Sequence, residues 1–113
     1  MISKELLKNV LYGENIDNIS IISNDITFEY SHYVNGVFQY RRKTDINIYE
    51  LAHKCKEWAL KHHYKVISKP DNVPGLWEAY VNLSLTSKHG EVADTEPEAI
   101  FKACQWILTK ELA

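Results

Sequence analysis

The amino-acid sequence predicts an α+β fold, an antiparallel sheet with helices packed on it as an α-β-α sandwich, in the order α-β-β-β-α-β-β-β-α. Three observations carry the prediction. Residues 91–107 pass from a short apolar segment through Asp94-Thr95-Glu96-Pro97-Glu98 into apolar residues at helical spacing. A second helix start stands at Asn47. Period-two segments bounded by turn residues lie at 26–30 and 76–85.

Taken in order, the chain justifies each element. Ser3 is placed to cap a short helix with Leu6, Leu7, Val10 and Leu11 on its apolar stripe and Gly13 as its stop. Residues 19–22 are extended, and Asn24-Asp25 reads as a turn. Alternation puts Ile26, Phe28 and Tyr30 on one face of the next strand and Thr27 and Glu29 on the other. Asn35-Gly36 is a hairpin turn leading into a strand at 37–40. Asn47 then caps a helix with Glu50 as its third residue, and Ile46 and Leu51 are spaced as a hydrophobic staple. Its apolar face is Ile48, Leu51, Ala52, Cys55, Trp58 and Ala59; Glu50, Lys54, Glu57 and Lys61 form a solvated face with ion pairs four residues apart. Residues 64–67 are extended, and 69–75 are a loop rich in turn residues. The segment 76–85 is the longest predicted strand, with Trp77, Ala79, Val81, Leu83 and Leu85 on one face and Ser87-Lys88-His89-Gly90 turning the chain back.

The last helix has the most complete start signal. Thr95 accepts from the Glu98 N–H, and the Glu98 carboxylate reaches back to the Thr95 N–H. Pro97 occupies the first turn, where a missing donor costs nothing, and Glu96 and Glu98 complement the helix dipole. Ala99, Ile100, Ala103, Cys104, Ile107 and Leu108 then line one apolar face.

With 113 residues, 45% of them apolar and 25% charged, and a net charge of −2, the composition is that of one ordinary globular domain, 1–113. Within it, 1–43 hold the first helix and hairpin, and 44–113 the core helix-strands-helix unit. Cys55 and Cys104 both fall on apolar helix faces and read as buried free thiols. The start of the chain is a charged amphipathic helix, with no leader and no apolar run able to span a bilayer, so the expected location is cytoplasmic.

Thr44-Asp45-Ile46 leading into a Trp-bearing helix, the strand around Leu76-Trp77, and above all Ala93-Asp94-Thr95-Glu96-Pro97-Glu98-Ala99-Ile100 together resemble the phage ABA sandwich domain. The resemblance covers roughly residues 44–108 well and the N-terminal part weakly. The chain departs from the family pattern in placing Trp58 further along its helix and in its longer 19–42 hairpin. The resemblance implies a small phage or prophage protein in a bacterial host, with helices sandwiching a sheet. It implies no activity, since the family offers no catalytic or ligand residues to carry over.

The chemistry-bearing residues point the same way. Between Arg41 and Lys69 cations outnumber acids eight to three, and Arg41-Arg42-Lys43 follows Tyr40, a pattern able to hold a phosphate backbone. The plainer reading is an edge strand and helix face kept apart from neighbours by charge. With Lys65, these three are the candidate partner or phosphate contacts. A double-stranded RNA-binding domain shares the C-terminal element order but needs lysines where this chain has Glu96 and Glu98. His32, His53, His62, His63 and His89 show no metal-ligand spacing with Cys or carboxylates, and no nucleophile elbow exists. The expectation is therefore no enzyme, no metal and no cofactor. Trp77, Trp106, Tyr33 and Tyr49 are candidate interface aromatics, with Trp106 at the margin of its helix's apolar face. The expected role is an accessory protein that binds a host or phage protein or self-associates. Nucleic-acid contact through the basic segment is the alternative, and no membrane partner is expected.

Overall fold

Ser3, Asn47 and Thr95 each stand where a helix begins in the computed structural model, which describes residues 1–11 and 15–112 (Leu112 by its backbone alone). The expected stop at Gly13 lies outside the described residues. Helix α1 (Lys4–Leu11) is capped by Ser3 Oγ, which accepts from the Leu6 N–H at 3.2 Å. Helix α2 (Ile48–Lys61) is capped by Asn47 Oδ1, which accepts from the Tyr49 N–H at 2.9 Å, one residue short of the capping-box partner. Its first donor, Ile48 N–H, is taken by the Asn24 carbonyl at 2.7 Å. Helix α3 (Glu96–Leu112) is capped by Thr95 Oγ1, accepting from the Glu98 N–H at 3.3 Å. The Glu98 carboxylate does not close the box; it accepts from the Met1 ammonium at 2.9 Å.

The strands are β1 (Ile16–Ile22), β2 (Asp25–Val34), β3 (Val37–Asn47), β4 (Lys65–Pro70), β5 (Trp77–Asn82) and β6 (Lys88–Ala93). With the helices they give the expected α-β-β-β-α-β-β-β-α order, and the strands divide into two antiparallel sheets, β1-β2-β3 and β4-β5-β6. Two of the sheet edges are protected by charge. β3 carries Arg41, Arg42 and Lys43, and β4 carries Lys65, Lys69 and the donorless Pro70, side chains that block edge-to-edge pairing.

Several segments differ from expectation: β1 starts at Ile16 and not Ile19, and β2 takes in Asp25 and runs past Tyr30 to Val34. β3 does not end at Tyr40 but runs through the basic residues to the α2 cap, paired with β2 along its length. β5 ends at Asn82, earlier than predicted, and Leu83 and Leu85 are exposed. The turn forms there because the Leu83 and Ser84 N–H groups donate to the Ser87 carbonyl at 3.0 and 3.1 Å, while Ser84 Oγ accepts from Thr86 N–H. Lys88, His89 and Gly90, expected in the turn, are β6 residues opposite Asn82, Val81 and Tyr80.

α3 packs on all three strands of the second sheet, α2 lies along α3 and touches β3 and β4, and α1 packs on β1 and both other helices. One core joins them: Leu6, Leu7, Ile16, Ile26, Leu51, Cys55, Ala79, Val81, Phe101 and Ile107 are fully or almost fully buried. Each large apolar side chain so buried stabilises by about 1.5–3 kcal/mol. Cys55 and Cys104 are free thiols in this core, and Cys104 Sγ donates to the Cys55 carbonyl at 3.5 Å. On the α2 surface, His53 and Glu57 form an i,i+4 pair at 2.9 Å.

Helix α2 ends in a Schellman arrangement that no glycine announces. Tyr64 N–H donates to the Ala59 carbonyl (2.9 Å) and His63 N–H to the Leu60 carbonyl (3.0 Å), with His63 at φ 69.

Candidate binding surface

The β2–β3 hairpin begins in the core and ends outside it. Opposed residues of an antiparallel pair share a face, so Ile26 and Ile46, Phe28 and Thr44, Tyr30 and Arg42, and His32 and Tyr40 follow one another along the core-facing side. Ile26 and Phe28 are buried and Tyr30 is half-buried. From His32 to Lys43 every residue is exposed. Among the described residues, none lies beneath the distal hairpin, which stands out as an arm. The described chain accordingly measures 49 × 32 × 18 Å, with a radius of gyration of 15.2 Å where a compact domain of this size has about 13 Å.

The arm's sequence holds it in shape without a core. Asn35 and Gly36 sit at φ 50 and 79, the left-handed pair of a type I′ turn, whose twist matches that of the strands. A bulge between His32 and Tyr33 of β2, with Gln39 as the extra residue of β3, strengthens that twist. Cross-strand ring pairs brace both faces: Tyr33 meets Phe38 edge-on with centroids 5.7 Å apart, and His32 stacks on Tyr40 at 5.0 Å. Even so, Tyr33, Val34, Val37 and Phe38 are 46%, 47%, 61% and 53% exposed, the Tyr33–Phe38 pair on one face of the ribbon and the Val34–Val37 pair on the other.

Strand alternation splits the basic run at the arm's base. Arg41 lies on the outer face, with Nε 3.0 Å from Glu29 and its guanidinium 3.9 Å from Asp17. Asn18 also donates to Glu29 at 2.8 Å. The Asn18 backbone hydrogen bond, followed by Lys4 and then Arg41, holds the Asp17 carboxyl below its usual pKa. Arg42 points to the opposite face and lies over the Tyr40 ring at 4.7 Å. Lys43 returns to the outer face, opposite Glu29. Lys65 starts β4 in the other sheet. The four cations therefore make no single phosphate-binding surface, and the face with two of them also carries two carboxylates.

Neither predicted tryptophan stands free. Trp77 is half-buried against the core at the start of β5, opposite Pro70 and Ala93. Trp106 is half-buried, with the His89 ring stacked on it at 4.1 Å and 8° and Lys110 Nζ 5.2 Å from its centroid. His89 Nε2 lies 3.2 Å from Glu91, and His62 packs on Trp58 with Nδ1 3.6 Å from Glu111. The histidines thus serve separate neighbourhoods. Lys56 Nζ donates to Ser68 Oγ at 2.8 Å, and Ser68 donates to Glu96 at 2.9 Å, a tie that fastens α2, β4 and the start of α3.

Of the aromatic candidates read from sequence, Tyr33 lies on the arm, and Tyr49 is exposed at the start of α2. Val34, Val37 and Phe38 were missed, and Tyr40 was read only as the aromatic beside the basic run. Their signal was present in the uncharged run 33–40 around Asn35-Gly36, apolar on both strand faces where a half-buried strand would be polar on one.

Family models, curated proteins and solved structures give no match to the chain.

Proposed function

We propose that the chain is a non-enzymatic binding protein that engages a protein partner through the β2–β3 arm. The observation that carries this reading is the bare apolar surface of Tyr33, Val34, Val37 and Phe38 on a turn-stabilised ribbon standing clear of the core. Rigid aromatic side chains on a preorganised hairpin lose little entropy on binding, which suits them to anchor an interface. The division of Arg41, Arg42 and Lys43 between two faces favours a protein over nucleic acid. The likeness of 93–100 to the phage sandwich family supports an accessory role inside a bacterial host.

The test is affinity capture from bacterial lysate, with and without nuclease, using the intact chain and a Tyr33→Ser/Phe38→Ser variant. A stoichiometric protein that survives nuclease and disappears with the variant is the expected result. Release of all captured protein by nuclease, or equal capture by the variant, overturns the reading.

A further inference from the structure

The edge strands of the two sheets are not guarded alike. β3 and β4 carry their own cations, and β4 ends on Pro70, which has no donor to offer. β6 is the other edge of the second sheet, and among the described residues no strand pairs with its free side. The bond from the Leu83 N–H to the Ser87 carbonyl fixes the alternation of the β5–β6 ladder. Counting from it, His89, Glu91 and Ala93 exchange their bonds with β5, and the N–H and C=O groups of Lys88, Gly90 and Val92 face outward. The edge is sterically open at its centre, where a Cβ on Gly90 would meet no atom within 4 Å. Lys88 does not cover it: its Nζ lies across the sheet face, 3.6 Å from Glu78 and 4.3 Å from the Tyr80 ring centroid. The outward Val92 carbonyl is instead taken from another element, by the exposed Lys102 of α3, whose Nζ donates to it at 2.9 Å.

We infer that Lys102 is a strap that keeps the β6 edge closed to the β6 edge of a second copy of the chain. The edge is complementary to itself. Two β6 strands laid antiparallel about Gly90 set Gly90 opposite Gly90, Lys88 of one copy opposite Val92 of the other, and His89 opposite Glu91. No like charges meet, and the outward groups of Lys88, Gly90 and Val92 all find partners in one two-fold contact. That ladder needs the Val92 carbonyl of each copy as the acceptor for the Lys88 N–H of the other. Lys102 Nζ holds this acceptor in each chain, and a strand closing over it would strip a charged group of water. A lysine laid on an edge is a recognised barrier to such pairing; here a helix supplies it to a strand that lacks one. The device is independent of the β2–β3 arm, which belongs to the other sheet.

Sedimentation velocity and amide hydrogen exchange over a wide concentration range test this on the parent chain, Lys102→Met, Lys102→Ala and Lys102→Arg, each checked for folding by circular dichroism. Lys102→Met keeps the aliphatic stem and loses the donor. It should associate at least ~10-fold more tightly than the parent, the weight of a charge-assisted hydrogen bond, while the Lys88, Gly90 and Val92 amides gain protection as concentration rises. Lys102→Ala should do the same. Lys102→Arg keeps a donor and should behave as the parent. Adding Gly90→Pro to Lys102→Met removes the central donor of the edge and should abolish the gain. The inference is overturned if Lys102→Met and Lys102→Ala associate no more tightly than the parent, or if the parent's own β6 amides become protected with concentration. It is equally overturned if the gain leaves the β6 amides unprotected, or disappears with Tyr33→Ser/Phe38→Ser, since the contact then belongs to the arm.

Discussion

Within the β2–β3 hairpin, Ile26 and Phe28 are buried, while Tyr33, Val34, Val37 and Phe38 on the same two strands stand in solvent. The strands are continuous, and their backbone pairing runs unbroken but for one bulge. What changes is the layer beneath. The proximal half has α1 and α2 against its sheet, and the distal half has no described residue against it. An apolar residue on a strand therefore reports a capacity for burial, and only the neighbouring layer turns that capacity into stability. Where the layer is missing, the same capacity is left for another molecule.

Substitutions at the two ends of this contrast should behave oppositely. Phe101→Ala, in the fully buried core, is expected to cost about 3–5 kcal/mol in urea unfolding, because it removes apolar contacts and leaves a cavity. Phe38→Ala, on the arm, should fall within about 0.5 kcal/mol of the parent chain, as surface changes do. A loss at Phe38 comparable to that at Phe101 would mean the arm folds back onto the body, and the contrast would be broken.

The sealing of the body can be sharpened through Cys55, which packs beside Cys104. The Cys104 thiol and burial both raise the Cys55 pKa above its ordinary 9.0. A raised folded-state pKa favours the protonated form, so its stabilising contribution is complete below pH 9 and is lost as pH rises above the unfolded value. The expected slope is roughly 1.4 kcal/mol per pH unit above that point. It is read as the difference between the parent chain and Cys55→Ala in unfolding experiments from pH 8 to 10.5. Identical pH slopes for the two chains would show that the core admits the thiolate.

The smallest effect concerns left-handed turn positions. In the arm, Asn35-Gly36 suits its conformation; in the body, His63 holds φ 69 at the end of α2 with a side chain that resists it. His63→Gly should raise stability by about 0.5–1 kcal/mol, read as a higher urea midpoint at constant slope. A lower midpoint would mean that the His63 side chain contributes contacts worth more than the strain it carries.

Much of the fold was legible because its signals are local. Ser3, Asn47 and Thr95 cap through side chains two or three residues from their targets. Asn35-Gly36 meets its turn requirement in two residues. The end of β5 was misplaced because Leu83 and Leu85 continue the alternation, whereas the bonds to the Ser87 carbonyl, which stop the strand, have no apolar signature. The end of α2 was not announced because His63 adopts a glycine conformation. The basic run was read as one patch because spacing along a chain does not show which carboxylate lies opposite; Glu29 and Asp17 answer that only once β1, β2 and β3 are paired.

The sequence by itself determined the order of helices and strands, the three caps, the hairpin turn and the apolar faces, since each depends on residues a few positions apart. Tertiary structure decided the rest: the division into two sheets, the pairing of Arg41 with Glu29, the use of Asn24 to cap α2 and the exposure of the arm. These depend on which surfaces meet, and a free energy set by contacts between distant segments has no local spacing from which to be read.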